Sequence, residues 1–221
     1  MATTTKTLSD ISALTSFAYS LAGVLGVALV AYAGSRVFLP KNAPRVHRYP
    51  FIWLAFDALI HFSFDGSFLY LSTFGRQVNT STGPFATMYT PPLYAGREYA
   101  AADFRWGFSD PTVVSLEILT VLTAGPFCCY ILALLARDDP ARHYWIVVLS
   151  TAELYGGWMT FCPEWLMGSP NLDTSNPLYL WVYLFFMNVI WVVIPLALMV
   201  DSYRHIARSL RLVQKTKAKT N

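Results

Sequence analysis

Residues 111–135 read PTVVSLEILTVLTAGPFCCYILALL, and the only charged side chain in the run is Glu117. A helix of this length extends about 37 Å at 1.5 Å per residue, enough to cross a hydrocarbon core of about 30 Å. Strands at that depth would have to close into a barrel and would alternate with period two. This run does not alternate, so it is expected to be a membrane-spanning helix. Pro111 opens the span, where its missing N–H costs nothing. Pro126 lies inside and should kink it.

Working outward, four more apolar runs have similar length: about 11–32, 49–72, 143–165 and 177–200. Pro177 opens the last and Pro195 interrupts it. The expected fold is an all-α polytopic membrane protein, a single domain over residues 1–221 built as a five-transmembrane-helix bundle. Composition points the same way: the 221 residues are 55% hydrophobic and 13% charged, against about 25% charged in soluble domains. That excess of apolar side chains cannot all be hidden in one soluble core. The net charge of +3 is small, and nothing supports nucleic acid as a partner. Cys128, Cys129 and Cys162 all fall in apolar runs and read as buried thiols, not as a disulfide framework. The first run follows a leader holding only Lys6 and Asp10, with no small-residue cleavage pattern, so it is expected to be retained as a span.

Basic residues set the orientation. One side of the expected bundle takes those between Arg36 and Arg48, then Arg137 and Arg142, then the six from Arg204 to Lys219. The other side takes Lys6, Arg76, Arg97 and Arg105. That division places the tail 201–221 in the cytosol and the amino terminus in the lumen, as an odd number of spans requires. Lys217 and Lys219 have the spacing of a dilysine retrieval signal before Asn221, which implies the endoplasmic reticulum membrane. The alternative is a basic tail drawn to anionic lipid. The lumenal connection 74–110 is long enough to be a lid. It carries the glycosylation sequon Asn79-Thr80-Ser81.

Ionisable groups within a bilayer cost about 2.5–3.5 kcal/mol each and are functional candidates. Asp57, His61 and Asp65 recur at steps of four and share one helical face. Glu117 with Thr120, Glu153 with Tyr155, and Asn188 with Trp191 join them from other spans. Depth counting places His61 near mid-membrane, with Asp65, Glu117 and Asn188 in the same layer toward the lumen. His61 and Asp65 could instead simply neutralise each other, Asn188 could bridge helices, and Glu153 could be satisfied by Thr151 or Tyr155. No metal site is expected, since no two histidines have ligand spacing along the chain. No catalytic triad, phosphate loop or dinucleotide fingerprint is visible. Acids, an imidazole and aromatic rings in an apolar chamber suit proton transfer to and from carbon. An indole face and a carboxylate can stabilise the resulting carbocation.

These residues fall in blocks that resemble the emopamil-binding protein family. The blocks are Ile60-His61 with Asp65-Gly66, Glu98-Tyr99-Ala100, Ser115 to Thr120, Gly125-Pro126, Leu154-Tyr155-Gly156, Asn176 to Tyr179, and Phe186 to Trp191. The resemblance implies a five-span endoplasmic reticulum protein that shifts a sterol ring double bond from the 8,9 to the 7,8 position without a cofactor. It implies catalytic roles for His61, Asp65, Glu117, Thr120, Asn188 and Trp191, with Trp191 facing the cation and Asn188 and Thr120 orienting the acids. Glu153, Tyr155, Tyr99, Glu98 and Asp57 are lower-ranked pocket residues, with Tyr99 and Glu98 assigned to the lid. Asp65 stands where the family carries Glu, Glu153 where it carries Gln and Gly157 where it carries Asp, changes that bear on substrate more than on fold. The expected partners are a lipophilic sterol or terpenoid substrate and the bilayer, with a homodimer left open. Two alternatives stay beside this reading: an isomerase or cyclase acting on another polycyclic terpenoid, and a non-catalytic binder of sterols and amphiphilic amines.

Overall fold

A computed structural model describes residues 2–73, 95–107 and 109–220, with side chains omitted over 2–17 and at a few further positions including Glu98. Of the expected lid 74–110, residues 74–94, with the Asn79 sequon, lie outside the described residues. In chain order the helices are α1 (Ala2–Phe38), α2 (Arg45–Ile60), α3 (Gly66–Thr73), α4 (Ala95–Ala102), α5 (Phe104–Gly107), α6 (Pro111–Leu119), α7 (Gly125–Ala136), α8 (Arg142–Leu166) and α9 (Met187–Thr220). Three π-helical segments interrupt the long rods: π1 (His61–Asp65), π2 (Thr120–Ala124) and π3 (Tyr179–Phe186). No strand forms among the described residues, and the single isolated bridge pairs Asp103 with Leu172.

Four helices among the described residues are long and apolar enough to cross a membrane: Leu21–Phe38, Arg45–Tyr70, Pro111–Ala136 and Tyr179–Lys219. The fourth expected span is also a helix, α8, 25 residues long and hence about 37 Å. Its polar load, including Arg142, His143, Glu153 and Glu164, sets it apart from the other four. Leu25 and Leu29 of α1, Leu122, Trp158 of α8 and Val193 of α9 are all more than half exposed. Outward-facing apolar side chains on long helices are what a lipid-facing surface requires.

The turns follow local chemistry. Asp110 caps α6, its Oδ1 accepting from the amides of Thr112 at 2.9 Å and Val113 at 3.2 Å, and Pro111 takes the first turn as expected. Arg48 reaches back from α2 to the carbonyls of Ser35 at 2.7 Å and Pro40 at 3.0 Å, closing the end of α1. At the end of α8, Gly168 takes φ +83°, which only glycine adopts freely. Pro126 lies two residues past π2, and its ring and missing N–H disturb the preceding turn, where the helix widens.

The main core joins Phe51, Trp53, Leu54 and Ala58 of α2 to Cys128, Ile131 and Leu135 of α7 and to Ile146 and Leu149 of α8, with Trp191, Ile194 and Leu198 of α9 packed against it. Within this frame π1 lies against π2. Gly125 permits that approach, since a Cβ there would sit 3.0 Å from the Phe62 ring and 3.4 Å from the Cβ of His61. The connection after α6 is therefore aimed at the site by the absence of a side chain.

Candidate active site

The cluster is built on π1. The imidazole of His61 lies between two carboxylates of its own rod: Nδ1 is 2.8 Å from Asp65 Oδ2, and Nε2 is 3.1 Å from Asp57 Oδ1. The second contact is an ion-pair approach out of line for a hydrogen bond. Asp57 is fully buried and His61 is 6% exposed. Asp57 also accepts from Trp191 Nε1 at 2.7 Å and from the Cys128 thiol at 3.2 Å. A carboxylate ranked low from sequence is thus the hub of the cluster, holding the histidine and the indole together. Trp191 and Cys128 come from two other segments of the chain, so linear spacing carried no signal for their convergence on Asp57.

Glu117 and Glu153 complete the acidic set. Glu117 is buried, with Asp65 and His61 as its charged neighbours, and its Oε2 has no hydrogen-bond partner among the described residues. Glu153 brings a carboxyl oxygen within 4.8 Å of the Asp57 and His61 ligand atoms, and its Oε1 is likewise buried without a partner. Buried polar atoms are almost always hydrogen-bonded, so these two oxygens mark positions where another molecule's atoms are to be expected. These three ligand atoms are close enough to share one cation. Four carboxyl groups thus surround one imidazole.

Trp191 is fixed from two sides. Its N–H is tied to Asp57, while its ring meets Trp53 edge-on at 5.3 Å and Phe56 at 6.0 Å. Thr120 begins π2, one residue past the end of the helix that carries Glu117, and is partly buried.

Asn188 does different work from the acid-orienting role implied by the resemblance. Its Nδ2 donates to the carbonyls of Tyr183 at 2.9 Å and Leu184 at 3.0 Å, and to the Tyr99 hydroxyl at 3.1 Å. A π-helical turn displaces carbonyls from their i+4 partners, and the amide recovers two of them. Asn188 therefore secures π3 and docks Tyr99. Tyr155 is 64% exposed on the outer surface of α8 and is not drawn into the cluster. Glu98 is on α4, and its side chain lies outside the described residues.

Tyr99 is held by a clamp that sequence reasoning missed. Arg105 grips Asp103 through Nε to Oδ1 at 2.9 Å and Nη2 to Oδ2 at 2.6 Å. It also donates to the Thr160 carbonyl of α8 at 2.6 Å and lies 3.8 Å from Glu164. Glu164 in turn accepts from Asn171, and the Asp103–Leu172 bridge closes the ring. All three ionic residues are 5% exposed or less. Burial pushes the Asp103 carboxyl above its usual range despite the guanidinium beside it, and burial together with Asp103 pushes the Tyr99 phenol up. Tyr99 thus remains a protonated donor through the physiological range. Its ring stands edge-on to Trp106 at 5.3 Å and to Tyr183 at 6.4 Å.

The family model described as EBP: EXPERA (EXPanded EBP superfamily) matches residues 94–202. The chain is 28% identical over 200 residues to the 3-beta-hydroxysteroid-Delta(8),Delta(7)-isomerase of Cavia porcellus, covering 89% of this chain and 81% of that protein. The enzyme of the same name from Rattus norvegicus is 28% identical over 208 residues, covering 92% and 85%. Isomeliandiol synthase MOI2 of Melia azedarach is 23% identical over 182 residues, covering 82% and 80%.

Proposed function

We propose, from the match of residues 94–202 to the EXPERA (expanded EBP superfamily) family model and the similarity to sterol isomerases over most of the chain, that this protein is a membrane-embedded isomerase moving a C=C bond of a sterol or sterol-like substrate from the 8,9 to the 7,8 position. Protonation of carbon 9 leaves a cation at carbon 8, and loss of a proton from carbon 7 forms the new double bond. One proton enters and one leaves, so the sum formula is unchanged and the balance calls for no hydride donor. The observation that carries the reading is the buried His61 imidazole bracketed by Asp57 and Asp65, beside the unpartnered oxygen of Glu117.

In this scheme His61, Asp65 and Glu117 exchange the protons with carbon. Asp57 keeps the imidazole and the Trp191 indole in register. The indole and the surrounding carboxylates stabilise the cation where it forms. Tyr99, held by Asn188, closes the chamber toward the lumen. The similarity to isomeliandiol synthase supports a second reading on the same layer, a rearrangement of another polycyclic terpenoid.

The protein resides in the endoplasmic reticulum membrane, crossed five times with α8 as the fourth span. The carboxyl-terminal tail is cytosolic, which protease accessibility in sealed microsomes decides. The reaction scheme is tested by inhibition. A lipophilic amine, protonated in the chamber, imitates the cation among Asp65, Glu117 and His61, and transition-state mimics bind about 100-fold or more tighter than substrate. Competitive inhibition at that level is expected, and a neutral carbon isostere that inhibited equally well would remove the cation from the mechanism.

A further inference from the structure

We propose that His143, Asp201 and His205 form a binding site for one divalent transition-metal ion of the zinc class, between α8 and α9 at the end of the bundle remote from the reaction layer. The site lies outside the cluster described above: His47, on the same wall, precedes His61 by 14 positions, about 21 Å along the rod. Distance along the chain hid it, since His143 comes from the first turn of α8 and the other two ligands from α9.

Three observations support the site independently. First, one candidate ligand atom from each of the three residues lies within 4.8 Å of the others. Two nitrogens bound to one zinc at about 2.0–2.1 Å each are roughly 3.4 Å apart in a tetrahedron, so the side chains must close in on the ion to bind it. Asp201 and His205 are four apart on one helix face, a spacing that lets both side chains reach one ion.

Second, one nitrogen of each imidazole already has a partner. A ligating histidine commonly donates its other ring N–H to a carbonyl, carboxylate or hydroxyl, which fixes the tautomer. His205 Nδ1 lies 2.9 Å from the Asp201 carbonyl, and His143 Nδ1 lies 3.3 Å from Ser202 Oγ. The two rings stack at 4.4 Å with 11° between their planes, so one ring must turn before both in-plane lone pairs can reach one ion.

Third, the three residues line a recess of about 10 Å³ together with His47, Arg142 and Ser202, room for one water or one ion. The nearby positive charge is compensated, since Arg142 pairs with Asp138 at 2.8 Å. His205 and Asp201 are nearly half exposed, giving the ion an entry path and open positions for water. Two imidazoles and one carboxylate favour zinc, cobalt or nickel over magnesium and calcium.

The test uses the full chain in detergent, stripped with chelator and titrated with cobalt and zinc chlorides in excess magnesium. One equivalent of cobalt should bind, develop visible d–d absorption, and be displaced by zinc, and zinc should raise the melting temperature. His205→Ala and His143→Ala should each weaken binding at least tenfold, whereas His61→Gln should leave it unchanged. His205 is half exposed, so its variant should keep the metal-free melting temperature of the parent and report on binding alone. Absence of binding at millimolar zinc, or binding that survives both histidine substitutions together, would overturn the proposal.

Discussion

Replacing Glu117 with Gln should lower turnover by about 100-fold to 10,000-fold, the range for loss of a general acid or base, while the protein still folds. Gln keeps the size of the side chain but cannot release or accept a proton at carbon. Glu117 Oε2 makes no hydrogen bond among the described residues, so the amide breaks no contact of that oxygen. Thr112 and Ser115 are exposed on the same helix, and alanine at either should matter far less. The measurement is turnover of an 8,9-unsaturated sterol by purified variants with matched melting temperatures. A stable, fully active Glu117→Gln protein would remove this residue from the chemistry and leave His61 and Asp65 to carry it.

Arg105→Met should be the most destabilising single change outside the reaction layer. Arg105 is the cation between Asp103 and Glu164, which are 0% and 1% exposed. Removing one partner of a buried ion pair costs about 3–5 kcal/mol, because the remaining charge is left uncompensated. The clamp holds Tyr99 against Asn188, so the loss should extend to substrate binding. Thermal unfolding in detergent should show a clearly lower midpoint, and KM should rise in whatever fraction remains folded. A variant as stable as the parent would mean that Asp103 and Glu164 are satisfied without the guanidinium.

The helical, membrane-spanning character of the chain was legible because apolar runs of bilayer length carry their own signal. The shared face of Asp57, His61 and Asp65 was legible from steps of four. The weight of Asp57 was not. Its importance comes from Trp191 and Cys128, which reach it from positions 134 and 71 residues away in the chain. The three π-segments were also invisible, although each adjoins a candidate residue: π1 holds His61 and Asp65, π2 starts at Thr120, and π3 ends two residues before Asn188. Pro126 marked a break near π2, but no such local signal marked π1 or π3. Asn188 stood out in the sequence as a polar group in an apolar span, but its partners, Tyr99 and the carbonyls of π3, did not. Tyr155 followed the family blocks and turned out to face outward. The Arg105 clamp was missed because a charged residue in an expected loop reads as a solvated one until its neighbours are known.

The account rests on solvent-derived protons being added to carbon, and isotopic labelling measures that directly. Incubating the purified protein with an 8,9-unsaturated sterol in deuterated water should yield the 7,8-unsaturated isomer carrying one deuterium at carbon 9, with one hydrogen lost from carbon 7. Product lacking deuterium at carbon 9, or sterol that binds tightly and is recovered unchanged, would contradict it.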